Sequence, residues 1–285
     1  MFFDFVEIGT SDFNTLIEQA DDATVGLSID PIQLYLDRLP QPRRCIKLAA
    51  AISDRDGETT AFFVPPERIA ALGLPDWLRG CNAIGTPHPS VGAVLREREL
   101  ARADAVVAQP IPCLRLATAL AGVAASGLYH LKTDTEGHDI VILQDFFDSA
   151  ERALWPHQLL FETNVLSDQE TVHRFIARMI TSGYDIVHAR TGGGDSDTQL
   201  RLNLQRLDRR SGFTEQIDGY HLGAFPQGYD PAHPPHDDTP EGAAAWCAAH
   251  GGAGVTRRQG RFEVRSGPYL VRETVEADVA SWVYL

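Results

Sequence analysis

The chain has 285 residues, 44% of them hydrophobic and 22% charged, as in an ordinary globular protein with one main core and an appendage. Its net charge of −14 argues against a general affinity for nucleic-acid phosphate and against anionic membrane surfaces. No stretch approaches the roughly 18 apolar residues of a membrane span, and no basic segment followed by an apolar one opens the chain, so a cytoplasmic location is expected. Cys45, Cys81, Cys113 and Cys247 lie far apart without a CxxC pair, which points to reduced thiols.

In chain order, FFDFVEIG is a β-rich apolar run ending in Gly9. The stretch from Asp12 to about Asp21 has helical composition, with Phe13, Leu16, Ile17 and Ala20 at helical spacing. ATVGLSID is a second strand ending at Asp30-Pro31, followed by the helical IQLYLDRL. CIKLAAAISD is a third strand and DRDG a turn. LYHLKTDTEGHDIVIL holds a fourth strand ending near Thr133 and a helix beyond Gly137. HQLLFETN is a fifth strand, and DQETVHRFIARMITSG a helix capped by Asp168 and stopped by Gly183. Apolar strands alternating with helices predict an α/β fold: a doubly wound, mostly parallel sheet covered on both faces.

In such sheets ligands sit beyond the carboxyl ends of the strands. All five ends carry an acid: Glu7 with Gly9, Asp30, Ser53 with Asp54, Asp134 with Glu136, and Glu162 with Asn164. That rim repels phosphates and suits hydroxyls, an ammonium or sulfonium group, or a divalent metal. The competing reading is that these acids cap the following helices. A glycine after strand one and an acid at the end of strand two is a nucleotide-binding spacing, but GTSDFN lacks the GxGxxG of dinucleotide binders. A nucleoside without phosphates, such as S-adenosylmethionine, fits better.

VEIGTSDFNTL, GLSIDP, AAISDRDGE and above all LKTDTEGHDIVIL resemble the motifs of the FkbM-type family of S-adenosylmethionine-dependent methyltransferases, over roughly residues 3 to 190. The resemblance implies a Rossmann-like class I fold, with a seven-stranded sheet and a reversed last strand. It also implies methylation of hydroxyl groups on sugars or other natural products. By motif it places Glu7, Gly9, Thr10 and Ser11 around the methionine part of the cofactor, Asp30 and Pro31 at the ribose, and Ser53 and Asp54 at the adenine. Ser11 and Phe13 stand where the family's first loop has further glycines.

Methyl transfer to an alcohol needs an aligned oxygen and a base for its proton. His138 is the candidate base, oriented by Asp134 or Glu136, one of which could instead hold the methionine amino group; a purely structural histidine at the helix start is the alternative. A second mechanism uses Mg²⁺ on Asp134, Glu162 and Asn164 to acidify a bound hydroxyl. Asn82, Thr86 and His88, in GCNAIGTPHPSVG, are candidate substrate contacts.

The domain expectation is a cofactor-binding unit over 1–211 and a small α+β extension over 212–285. Its RRQGRFEVRSGPYLVRE reads as two strands around Ser266-Gly267, and TPEGAAAWCAAHGG as a helix capped by Thr239. The histidines His221, His233, His236 and His250 match no zinc spacing. The tail, or a partner subunit of a homo-oligomer, is expected to cover the cleft, with Tyr220, Phe225, Tyr229 and Trp246 either stacking on sugar rings or packing together. RTGGGDSDTQ reads as a flexible loop. An S-adenosylmethionine-dependent O-methyltransferase acting on a small-molecule or saccharide acceptor is the leading expectation. A catalytically idle binding subunit and a dinucleotide oxidoreductase are the rivals.

Overall fold

The structure, a computed structural model, describes residues 1–193, 196–207, 212–274 and 278–285. Three strands open it: β1 (Phe2–Ile8), β2 (Gly26–Asp30), and β3 (Cys45–Ala49), with α1 (Gln33–Arg38) between the last two. Between β1 and β2 lies one 3-10 turn, Leu16–Gln19, in place of the expected helix from Asp12. Glu7 explains the difference: its Oε2 accepts the Leu16 N–H at 2.8 Å, which pulls the segment onto the sheet.

The third apolar run divides at Ala50. Its second half, β4 (Ala51–Ser53), leaves the main sheet and pairs in parallel with β7 (Val107–Arg115). Between them the chain builds an inserted unit from β5 (Gly57–Phe63), α2 (Pro66–Ala71), β6 (Ala83–Ile84), α3 (Pro89–Glu97) and α4 (Arg102–Ala105). This unit has its own apolar cluster, including Val64, Ile69, Leu78, Val91 and Leu95.

The chain returns through α5 (Leu116–Gly122) to β8 (Gly127–Thr133), α6 (Asp139–Ser149), β9 (Gln158–Glu162), α7 (Gln169–Thr181), β10 (Tyr184–Ala189) and β11 (Asp197–Leu202). The Asp168 carboxylate caps α7 by accepting the Thr171 N–H, and the helix buries Val172, Phe175, Ile176 and Met179, one stripe at helical spacing. Each such side chain contributes about 1.5–3 kcal/mol on burial. Beyond them lie β12 (Ile217–Asp218), β13 (Tyr220–Leu222), α8 (Pro240–Ala249), β14 (Gly254–Arg258), β15 (Arg261–Arg265), β16 (Leu270–Arg272) and β17 (Val279–Val283).

The main sheet has the order β10-β11-β9-β8-β1-β2-β3. The ladders joining β3, β2, β1, β8 and β9 are parallel, whereas β9–β11 and β11–β10 are antiparallel. Three further sheets, of four, four and two strands, complete the described fold. The expectation of a mostly parallel, doubly wound seven-stranded Rossmann-like sheet with a small extension is therefore corrected. The chain is a mixed α/β fold whose main sheet combines both strand directions and shares the molecule with three other sheets. The sequence pattern missed this because β5 and β7 are exposed over much of their length, so they carry little apolar periodicity.

The region after residue 211 is not a cover for the cleft. Tyr220, Leu222, Leu270 and Val283 join the main core, and the Tyr220 hydroxyl donates to Asp4 Oδ1 at 2.6 Å, at the amino end of β1. Tyr229 and Trp246 sit in a packed aromatic cluster with Phe225. The proposed 211/212 boundary and part of RTGGGDSDTQ fall outside the described residues. Among the described residues no helix is long and apolar enough to cross a membrane.

Candidate functional site

A cavity of ≈ 260 Å³ opens at the carboxyl ends of β1, β2, β8 and β9. Gly9–Ser11, Phe13 and Asn14 line one side, Asp30 and Pro31 the next, and Ala50, Ala51 and Ile52 the junction where β3 gives way to β4. Gly80 and Asn82–Ile84 of the inserted unit form a roof, and Lys132, Asp134–Glu136, His138 and Glu162 the far wall. Among the described residues no lining residue lies beyond Glu162, and the cover expected of the C-terminal region comes from the insertion.

Two clamps hold that roof down. Ser11 Oγ donates to the Arg79 carbonyl at 3.3 Å, the Arg79 guanidinium lies 4.6 Å from the Phe13 ring centre, and Asp12 pairs with both Arg79 and Arg38. Phe13, where the family resemblance has a glycine, is thus the platform on which the insertion docks. The second clamp joins His88 at the start of α3 to Glu136, with Nε2 3.1 Å from Oε2.

The predicted site residues divide into those the structure brings to the cavity and those it does not. Glu7 is fully buried outside it, with its carboxylate held by Lys132 Nζ at 2.8 Å and the Leu16 N–H. Burial raises its pKa despite the lysine. Asp30 lines the cavity, yet its two oxygens already accept the Ser11 and Ile32 N–H groups at 2.8 Å each. Its first structural task is to shape the loop after β1; complete burial pushes its pKa up to about 7. Gly9 is required by geometry: at φ +79 its Cβ would stand 1.9 Å from the Asp134 carbonyl oxygen.

Asp134 presents its carboxylate to the cavity surface with no side-chain hydrogen bond among the described residues. Although open to the cavity, it is ringed by protein, and desolvation together with Asp139 pushes its pKa up to about 7. Glu162 is raised further, to about 9, by desolvation and then by Asp134 and Glu136, so it is a neutral acid at pH 7. Thr10 and Asn82 add buried Oγ1 and Oδ1 atoms without partners.

Ser53 and Asp54 do not line the cavity; they sit behind it, with Ser53 Oγ 3.0 Å from Asp54 Oδ1 and 2.9 Å from His138 Nε2. His138 lines the cavity, and burial lowers its pKa, which keeps the imidazole neutral. Thr86 is an exposed turn residue away from the cavity, and His88 is buried in its bond to Glu136.

The magnesium set does not assemble as drawn from the sequence. Asn164 Oδ1 accepts the Leu166 N–H at 2.9 Å and its amide donates to Glu162, so it turns a donor toward the carboxylates. The one group of three close metal-ligand types among the described residues is Cys81, His88 and Glu136. There the Ser90 N–H donates to His88 Nδ1, which places the neutral ring's proton on Nε2, facing Glu136. A metal would need a lone pair at that nitrogen. His88 and Glu136 form a hydrogen-bonded latch, with Cys81 beside it.

Sequence reasoning missed Lys132 as the counter-ion of Glu7, Arg79 as the roof clamp and the Ser53–His138 contact. Lys132, Ser53 and His138 stood within quoted motifs, Arg79 just before one, and nothing local signals the pairings they make. No protein-family model, curated protein or solved structure matches the chain.

Proposed function

We propose that the chain is an S-adenosylmethionine-dependent O-methyltransferase that acts on a hydroxyl of a sugar or other small natural product in the cytoplasm. One observation carries this reading: a free carboxylate, Asp134, and a neutral imidazole, His138, share one roofed cavity at the strand ends. The donor set suits the cofactor. Asp134 and the unpartnered Thr10 and Asn82 oxygens are acceptors for an ammonium and for hydroxyls. Lys132 is committed to Glu7, which leaves no free cation for a dinucleotide pyrophosphate among the described lining residues.

S-adenosylmethionine, when bound, supplies an electrophilic methyl group on a sulfonium centre. The chain's residues do the rest. Asp134 holds positive charge, the Gly80–Ile84 roof excludes water, and His138 takes the proton of the acceptor hydroxyl as its oxygen is alkylated. The FkbM-type motif in TDTEGHD supports the assignment because it contributes Asp134, Glu136 and His138 to the same wall.

Calorimetric titration with S-adenosylmethionine and S-adenosylhomocysteine tests the reading. Micromolar binding, weakened about tenfold or more in Asp134→Asn, is expected, as for a charge-assisted contact of about 1.5–3 kcal/mol. Absence of binding by either ligand would refute it and favour an idle scaffold.

A further inference from the structure

Behind the cavity wall lies a line of side chains that joins Ser53 and Asp54, which the family resemblance placed at the adenine, to the candidate base His138. Asp54, Ser53 and His138 stand in line, with 3.0 Å between the Asp54 oxygen and the Ser53 hydroxyl and 2.9 Å between that hydroxyl and His138 Nε2. Ser53 is 2% exposed and ends β4; His138 precedes α6, and 85 residues separate the two in sequence. Their register is enforced from a second point. Arg115, at the end of β7 and paired with Ser53 across the β4–β7 ladder, makes a two-pronged bond from Nε and Nη2 to Asp145 of α6, at 3.0 and 2.7 Å. Helix and strand are thus tied on both sides of the serine.

We infer that Ser53 and Asp54 are positioning residues that fix His138 with its proton on Nε2 and its lone pair on Nδ1, making Nδ1 the atom that receives the acceptor's proton. A serine has one hydroxyl proton. A carboxylate can only accept, so that proton goes to Asp54, and the Ser53 oxygen must then accept from Nε2–H. Nδ1 is left with the lone pair, and the His138 side chain makes no capping bond at the start of α6. Once Nδ1 is protonated, the imidazolium keeps its Nε2–H on Ser53 and so communicates with the Asp54 charge without the proton leaving the ring. The charged groups facing the ring are Asp54, which favours the protonated form, and Arg55, which opposes it.

The proton balance is closed. As the acceptor oxygen forms its bond to the methyl carbon, the carbon–sulfur bond breaks, sulfur keeps the electron pair, and the hydroxyl proton moves to Nδ1. The inference rests on the methyltransferase reading for its purpose, but not for its test.

The test is long-range proton–nitrogen NMR on the full-length protein labelled with ¹⁵N-histidine, with the His138 signal assigned by its loss in His138→Gln. The expected result is an Nε2–H tautomer whose proton exchanges slowly. Ser53→Ala should speed that exchange by roughly two- to tenfold, the weight of one lost hydrogen bond, and Ser53→Thr should restore it. Asp54→Ala, which frees the hydroxyl to turn, should admit the Nδ1–H form. A wild-type Nδ1–H tautomer, or exchange unchanged in Ser53→Ala, would overturn the inference. Titration with S-adenosylhomocysteine separates the remaining possibilities. Loss of affinity in both Ser53→Ala and Ser53→Thr would make Ser53 a ligand contact and overturn the positioning role. No binding to the wild type would refute the functional reading, while the tautomer result would still decide the relay.

Discussion

Replacing Gly9 with alanine tests how closely the ends of β1 and β8 approach beneath the cavity. The backbone there has φ +79, and an added Cβ would lie 1.9 Å from the Asp134 carbonyl oxygen and 3.3 Å from Thr135 Cγ2. Gly73 is the internal control: it has φ +59 with nothing within 4 Å of its Cβ position. Gly73→Ala therefore meets only left-handed strain, about 1–2 kcal/mol. Gly9→Ala meets the same strain, and in addition the carbonyl must retreat by about 1.5 Å to reach van der Waals distance. That movement strains the Asp134 N–H bond to Ile8 at 3.0 Å and the Gly9 N–H bond to Ile29 at 2.9 Å. At about 1 kcal/mol for each backbone bond, the total reaches about 3–4 kcal/mol, against a typical stability of about 5–15 kcal/mol. Urea unfolding of both variants, followed by circular dichroism and compared at constant m, measures the difference. Equal losses in Gly9→Ala and Gly73→Ala would show that no such close approach exists.

The buried Glu7–Lys132 pair gives a second expectation. Lys132→Met leaves a fully buried carboxylate with the Leu16 N–H alone and should cost about 3–5 kcal/mol, most of it recovered when Glu7→Gln is added. Additive losses in the double-mutant cycle would contradict the pairing. The third concerns pH. Glu162 has its pKa raised from 4.5 to about 9, so the folded state keeps a proton that the unfolded chain has lost. The stability this group contributes is complete below the ordinary carboxylate pKa and drains away as pH rises toward 9, with a slope of at most about 1.4 kcal/mol per pH unit. Glu162→Gln removes that slope, so the variant should gain on the wild type between about pH 5 and pH 9 in urea unfolding. A gap between the two that does not change with pH would refute the shift.

The sequence by itself determined the features that depend on near neighbours. Apolar runs marked β1, β2, β8 and β9, Asp30, Asp134, Glu136 and Glu162 among the acids at their ends reach the cavity, and Asp168 and Thr239 announced the helix starts they cap. Those signals are local: a strand's period, a turn residue, a side chain reaching three positions ahead. Tertiary structure decided how the acids are used. Glu7 and Asp134 look alike in sequence, yet Glu7 is neutralised by a lysine 125 residues away while Asp134 faces the cavity with no side-chain hydrogen bond among the described residues. Ser53 reads as a cofactor contact until β4 peels away at Ala50 and carries it behind the wall, against His138. The same division at Ala50 turned the following segment into a roof and left the C-terminal strands to pack at the other end. Which strand continues in which sheet depends on pairing partners far along the chain and on the packing they allow, and neither is encoded in a window of ten residues.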